Sequence, residues 1–349
     1  MAFYLYRMTR SNKDRWLEKR KMHRERMRSE DIYTRLVKGD RVALSEGITL
    51  VESTKPSDEA EAQKLIELCM PHSGNSVRIG ITGVPGVGKS TFIETFGKHL
   101  IAEGSKIAVL AVDPTSSVSK GSILGDKTRM EELSNHESVF IRPTAAGDSL
   151  GGVARKTRES IILCEAAGFD KILIETVGVG QSETVVNSMV DFFLLLMLSG
   201  AGDELQGIKK GIMEMADAVV ITKADGEDAQ RAKKAAAEYK GAIHLFHPNS
   251  NGWIPKVLTC SALQDEGIDN VVETINSYVN TVKVSGWFDK NRAEQDVNWY
   301  RSTLNELILK SFYRKDGVTN DIQVFDNSIR NNEVSPFKAA EVTFKKYKK

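Results

Sequence analysis

Cysteine is scarce in this chain. Cys69, Cys164 and Cys260 lie far apart with no paired spacing, which argues against a disulfide framework and points to a reducing compartment. Cys69 stands close to His72, but a lone Cys/His pair is more often incidental than a metal site. Long apolar runs are also missing. The longest, Phe192 to Leu198, is far too short to span a bilayer and reads as a buried strand. No charge of one sign dominates either. With 48 Lys and Arg against 47 Asp and Glu, the net +1 gives no global field to hold nucleic acid or membrane, and neither is expected as a partner. Positive charge is local, between Arg7 and Arg28, where Asp14, Glu18 and Glu25 interleave as on a solvated helix with i,i+4 ion pairs. A partner-docking arm is the other reading of that segment. Met1 to Tyr6 is apolar but too brief for a signal peptide, and the nearby acidic residues count against a transit peptide. A cytoplasmic location is expected. No internal repeat or low-complexity tract is present.

What remains is an ordinary globular composition, long enough for one large α/β domain with accessory segments. Residues 1–75 read as a helical extension, with apolar spacings of three and four over Asp31–Leu36, Arg41–Val51 and Glu59–Cys69. From Val77 the texture changes to short β-branched runs between helical patterns. Strands are expected at Val77–Thr82, Ile107–Val112, Ser138–Arg142, Lys171–Glu175, Phe192–Leu198, Ala218–Thr222 and Lys256–Cys260. Helices are expected at Ser90–Ala102, Gly152–Ala167, Gln206–Met215, Glu227–Tyr239 and Ile268–Val282. This alternation predicts βαβ units and an α/β fold with a mostly parallel sheet over residues 76–284. Residues 285–349 read as a helical arm: one long helix from Asn291 to Phe312, then another ending before Ser335-Pro336. Its apolar positions Trp299, Leu304, Leu307 and Ile308 must bury against its own domain or a second copy.

The strongest chemical signal is Gly83-Val84-Pro85-Gly86-Val87-Gly88-Lys89-Ser90, followed by Thr91, which fits the phosphate-binding pattern GxxxxGK[ST]. An apolar strand precedes it and a helical pattern follows. The glycines let the backbone curl with its N–H groups turned inward, and the helix N-terminus adds partial positive charge. Lys89 is placed to reach the β- and γ-phosphates and Ser90 to ligate Mg²⁺. Asp113 and Glu175 end strands, where a parallel sheet faces its ligand crevice, so both are candidates to hold Mg²⁺ or its waters. Asp126 and Arg129, in Gly125-Asp-Lys-Thr-Arg129, read as a polar loop or as a mobile switch closing on metal and phosphate.

Thr222-Lys223-Ala224-Asp225 follows a strand and resembles the [NT]KxD element of G proteins. An Asp carboxylate accepts two hydrogen bonds from guanine, at N1–H and the exocyclic amine, and adenine offers no such pair. Lys223 is expected to lie over the base, with Ser261 and Ala262 presenting backbone N–H to the guanine oxygen and Leu263 beside them in the nucleotide site. Glu175-Thr-Val-Gly178 stands where G proteins usually carry DxxG, and the Gly178 N–H is expected near the γ-phosphate. Val179 follows instead of the Gln of Ras-like proteins, so intrinsic hydrolysis is expected to be slow or completed by a partner or a switch, with Arg129 a candidate charge stabiliser.

With these residues in hand, the chain resembles the MeaB/ArgK family, G-protein chaperones of adenosylcobalamin-dependent acyl-CoA mutases. The matching stretches are Gly39–Ser53, Gly80–Thr91, Ala111–Ser116, Gly121–Met130, Ser149–Glu159, Ile172–Glu183, Gly200–Glu214, Ile221–Asp225 and Ser335–Ala340. The resemblance implies a SIMIBI-type G domain with a helical N-terminal extension and a C-terminal dimerisation arm, hence a homodimer. It implies GTP and GDP as ligands, Mg²⁺ held by Ser90, Asp113, Asp126 and Glu175, and hydrolysis that gates cofactor loading and protects the mutase. It further implies that Asp203, Gln206 and Lys209 form a switch loop sensing a B12-dependent mutase of the methylmalonyl-CoA type, with cobalamin reached only through that partner. Ser199 stands where many relatives carry Pro. The competing readings are a metallochaperone GTPase, which needs a Cys/His constellation, and a kinase tied to amino-acid transport, which needs a phosphoacceptor pocket.

Overall fold

Apolar alternation with a period of two organises the sheet. The computed structural model describes residues 29–112, 130–143, 150–176, 182–199, 210–243 and 251–348. Seven strands form one sheet: β1 (Val77–Gly83), β2 (Ile107–Val112), β3 (Val139–Pro143), β4 (Lys171–Thr176), β5 (Phe192–Leu198), β6 (Ala218–Thr222) and β7 (Lys256–Thr259). Their order is β3-β2-β4-β1-β5-β6-β7 and every pairing is parallel. Phe192, Leu194, Leu196, Ala218 and Val220 enter one core; Leu195, Met197, Val219 and Ile221 enter the other. Burial on both faces is why β5 is uninterruptedly apolar rather than alternating with polar residues. The expected parallel sheet is therefore present, with strand boundaries within a residue or so of those read from the sequence.

Helices cover both faces. On one side lie α4 (Lys89–Ala102), set against the sheet through Phe92, Ile93, Phe96 and Leu100, and α10 (Ile268–Val284), through Val271, Val272, Ile275 and Val279. On the other side α9 (Ala229–Ile243) buries Ala232, Ala235 and Tyr239 beside α8 (Lys210–Met215). A 3-10 turn at Gly226–Asp228 precedes α9, so that helix starts two residues later than Glu227.

The N-terminal helices α1 (Ser29–Leu36), α2 (Arg41–Glu52) and α3 (Pro56–Cys69) pack with α6 (Leu150–Ala166). Asp40 caps α2 by accepting from the Val42 N–H at 2.8 Å. At Gly47 a β-carbon would stand 3.2 Å from Leu65, 3.4 Å from Ile32 and 3.4 Å from Leu163, so glycine allows four helices to meet there. Glu52 accepts from Arg142 on β3 at 2.7 Å, and its carbonyl accepts from Lys156 on α6 at 2.8 Å.

Short helices α5 (Glu131–Asn135) and α7 (Ser182–Asn187) complete this unit. The chain divides into two compact units after Arg292, inside α11 (Trp287–Tyr313). The second contains the rest of α11 with α12 (Val318–Arg330) and α13 (Pro336–Tyr347). α13 was not anticipated from the sequence, although Ser335 caps it and Pro336 occupies its first turn. Within this unit Tyr347 donates to Asp321 at 3.0 Å and Phe312 stacks on Phe344 at 6.0 Å between ring centroids. No helix among the described residues is long and apolar enough to cross a membrane.

Candidate functional site

The turn from β1 into α4 is shaped by three glycines. Gly86 and Gly88 adopt φ of 78° and 90°, left-handed values that a side chain resists, and Gly88 is the residue from which α4 begins. Gly83 has a different constraint. A β-carbon there would lie 2.5 Å from the Leu196 carbonyl oxygen of β5, so the loop leaves the sheet with no space to spare. Val87 is fully buried and anchors the loop, while Pro85 and Gly86 are exposed and Val84 is half-buried. The free N–H groups of the first turn of α4, with Ser90 half-buried and Thr91 exposed, form an anion-binding surface.

Lys89 folds back over this loop. Its ammonium donates to the Gly83 carbonyl at 2.8 Å and to that of Val84 at 3.4 Å. Burial lowers its pKa, while the charges of Glu175 and Glu183 counteract the loss. Glu175, nearly buried at the end of β4, stands in register with Ile81 of β1. The next residue, Thr176, donates its hydroxyl to the Thr82 hydroxyl at 2.8 Å, a buried bond that ties the ends of β4 and β1 behind the loop. Glu183 and the Thr82–Thr176 pair carried no sequence signal of their own; only the strand order brings them here. Asp113, Asp126, Arg129, Gly178, Asp203, Gln206 and Lys209 lie outside the described residues.

The end of β6 approaches the same loop from the other side. The Thr222 hydroxyl donates to the Val87 carbonyl at 2.7 Å and lies 3.2 Å from that of Met197. Lys223 is left-handed, with φ of 55°, and exposed; its Cε is 3.9 Å from where a Gly88 β-carbon would sit. Asp225 is half-buried rather than buried, so its carboxylate still meets solvent. Two backbone bonds join this segment to the one after β7: Ala224 N–H to Cys260 C=O at 3.0 Å and Cys260 N–H to Ile221 C=O at 2.9 Å. Ser261 and Glu266 exchange backbone bonds of 2.9 Å, the Ser261 hydroxyl accepts from the Gln264 N–H at 3.1 Å, and the Ala262 carbonyl accepts from Thr95 at 2.8 Å. Leu263 protrudes, 78% exposed, at the tip. Thr222, Lys223, Asp225 and Ser261–Leu263 therefore share one end of the sheet with Gly83–Thr91 and Glu175.

Elsewhere, burial pushes the Cys69 thiol up to about 12, and His72 bonds the Tyr33 hydroxyl at 2.9 Å. Among the described residues no group of three or more His, Cys, Asp or Glu is placed to hold a metal ion.

A phosphate-binding turn, a lysine above it and a [NT]KxD segment bonded to it form one end of a parallel sheet, where such folds bind ligands. The family model described as methylmalonyl-CoA mutase-associated GTPase MeaB matches residues 44–316. A probable GTPase of Mycobacterium bovis is 49% identical over 303 residues, covering 87% of this chain and 90% of its own. The mouse mitochondrial methylmalonic aciduria type A homolog is 44% identical, covering 91% of this chain and 79% of its own. A solved structure of a LAO/AO transport system kinase superposes with a TM-score of 0.72 at 37% identity, covering 92% of this chain and 98% of its own. The chain thus belongs to the MeaB family and is a GTPase on an α/β fold with a parallel sheet.

Proposed function

We propose that this GTPase is a chaperone that gates adenosylcobalamin loading onto a B12-dependent acyl-CoA mutase of the methylmalonyl-CoA type and protects that enzyme. The observation that carries the reading is the family match, which runs from the N-terminal helices through the nucleotide site and beyond it to residue 316.

At the site itself, the N–H groups of Gly83–Thr91 cradle the phosphates and Lys89 turns from the Gly83 carbonyl to the β- and γ-phosphates. Hydrolysis breaks the bond between the γ-phosphorus and its bridging oxygen, forms one to a water oxygen, and leaves the water's protons on the phosphate products and solvent. Asp225 reads guanine N1–H and the exocyclic amine, and the Lys223 stem covers the base. Ala262 offers its backbone N–H to the guanine oxygen with Leu263 beside it, while Ser261, whose N–H is donated to the Glu266 carbonyl, shapes the turn instead of donating to the base. Gly178 offers its N–H to the γ-phosphate.

Magnesium fits the oxygen donors present: Ser90 at the start of α4 and Glu175, whose charge reaches Lys89. With Asp113 and Asp126 these residues would hold it, and bound there it neutralises charge on the phosphate oxygens. Arg129 adds charge from the switch loop, and Asp203, Gln206 and Lys209 sense the mutase. In the second unit Tyr300, Leu304, Leu307 and Ile308 of α11 are exposed, a surface suited to a second copy. Sedimentation should then give a dimer.

The test is cofactor transfer to apo-mutase, followed through the cobalamin absorbance. Loading that depends on GTP, and changes when a non-hydrolysable analogue replaces it, supports gating; loading indifferent to nucleotide refutes it. The kinase named for the solved relative raises a second reading, in which the γ-phosphate passes to a protein. Labelled γ-phosphate released only as free phosphate rejects it.

A further inference from the structure

The middle of α4 grips the loop that follows β7. Thr95 and His99, four residues apart, share a face of that helix. Thr95 donates to the Ala262 carbonyl at 2.8 Å. His99 places Nε2 2.6 Å from Asp265 Oδ1 and Nδ1 2.7 Å from Asp269 Oδ1, in the first turn of α10. A neutral imidazole carries one N–H, so with a carboxylate oxygen on each nitrogen both bonds form only in the imidazolium. Burial opposes that charge, but the hydrogen bonds and charges of Asp265 and Asp269 outweigh it and raise the His99 pKa above its ordinary value. The neighbouring cation, Lys98, is engaged by Glu132 on α5 and stands 3.8 Å from Glu94. Asp265 itself is left-handed, with φ of 56°, inside the turn closed by Ser261 and Glu266.

We infer that His99 is a positioning residue for guanine recognition: as an imidazolium it clamps the Ser261-Ala262-Leu263 loop to the phosphate-binding helix, and on losing its proton it releases that loop. The inference rests on the proposed reading that this loop and Asp225 meet the base. The sign follows from the raised pKa: the clamp is fully formed at low pH and is lost as pH rises through the folded-state value. One helix then joins both ends of the nucleotide, its first turn at the phosphates and its third at the base loop.

The test is calorimetric binding of GDP, IDP and pyrophosphate to the full chain across a pH series that begins below the ordinary imidazole value of about 6.5 and runs upward from it. IDP lacks the exocyclic amine, and pyrophosphate senses the phosphate end alone. Wild type is expected to lose GDP affinity as pH rises. His99→Gln at the acid end is expected to bind GDP about fivefold more weakly, flat with pH, as for a partly exposed ion pair, with pyrophosphate unchanged. Asp265→Asn, which spares the imidazole, is expected to follow it. Should His99→Gln keep the wild-type affinity and pH profile while Asp225→Asn loses its preference for GDP over IDP, the clamp is wrong and the base site stands. Should Asp225→Asn keep that preference, the base-site reading fails and takes the clamp with it.

Discussion

Replacing Gly83 by alanine tests how tightly the phosphate loop is set against the sheet. The new β-carbon would meet the Leu196 carbonyl oxygen at 2.5 Å and the Leu196 Cβ and a Val87 methyl at 3.0 Å. Ordinary contacts need about 3.5 Å, so the shortfall is about 1 Å against backbone that cannot rotate away. Gly83 pairs in register with Leu196 at the end of β1, so β1 cannot withdraw without loosening the ladder to β5. The element free to yield is the loop itself, whose carbonyls hold Lys89. Overpacking of this kind costs about 1–3 kcal/mol in stability. A displacement of about 1 Å at a reacting centre costs about 100-fold in rate. GTP turnover and urea unfolding of the Gly83→Ala chain are the assays. Gly151→Ala is the control, because a β-carbon there has nothing within 4 Å. Turnover within twofold of wild type, together with unchanged unfolding, would mean that the loop accommodates the β-carbon and is not set tightly against β5.

Further outcomes follow from the same contacts. Lys89→Ala is expected to abolish measurable GTP turnover while leaving the fold intact, since it removes a partly desolvated cation; circular dichroism beside a phosphate-release assay checks both halves. Thr222→Val removes the hydroxyl that bonds the Val87 carbonyl and is expected to cost about 1–2 kcal/mol in unfolding free energy, with weaker GDP binding by calorimetry. Asp217, at the foot of β6, accepts from the Phe193 N–H at 2.9 Å, yet burial pushes its carboxyl up from 3.8 to about 7. A raised folded-state pKa gives stability that is full at low pH and lost as pH climbs through that value. Wild type should therefore lose up to about 4 kcal/mol relative to Asp217→Asn between pH 4 and pH 8, and a gap that stays constant in paired melts would contradict this.

Much of this molecule was legible in its sequence because burial leaves a periodic trace. Phe192–Leu198 is a strand with both faces covered, as a seven-residue apolar run too short for a typical helix suggests. The phosphate turn was legible because few residues tolerate the left-handed backbone of Gly86 and Gly88. Strand order was not legible: β4 sits between β1 and β2, and that insertion is what sets Thr176 against Thr82 and Glu175 beside the loop. His99 and Thr95 belong to no motif, and their role exists only once β7 delivers Ala262 and Asp265 to them. α13 is marked in the sequence by its Ser335-Pro336 start, but a Ser-Pro pair ends a preceding helix as readily as it begins the next, and only the structure shows that it does the second.

The measurement that bears most directly on the account is GTP turnover by the full chain with and without a cobalamin-dependent acyl-CoA mutase from the same source. A slow basal rate, preference for GTP over ATP, and marked acceleration when the mutase is added are expected. Unchanged turnover, with no complex detectable between the two proteins, would contradict the chaperone role and leave a GTPase whose partner lies elsewhere.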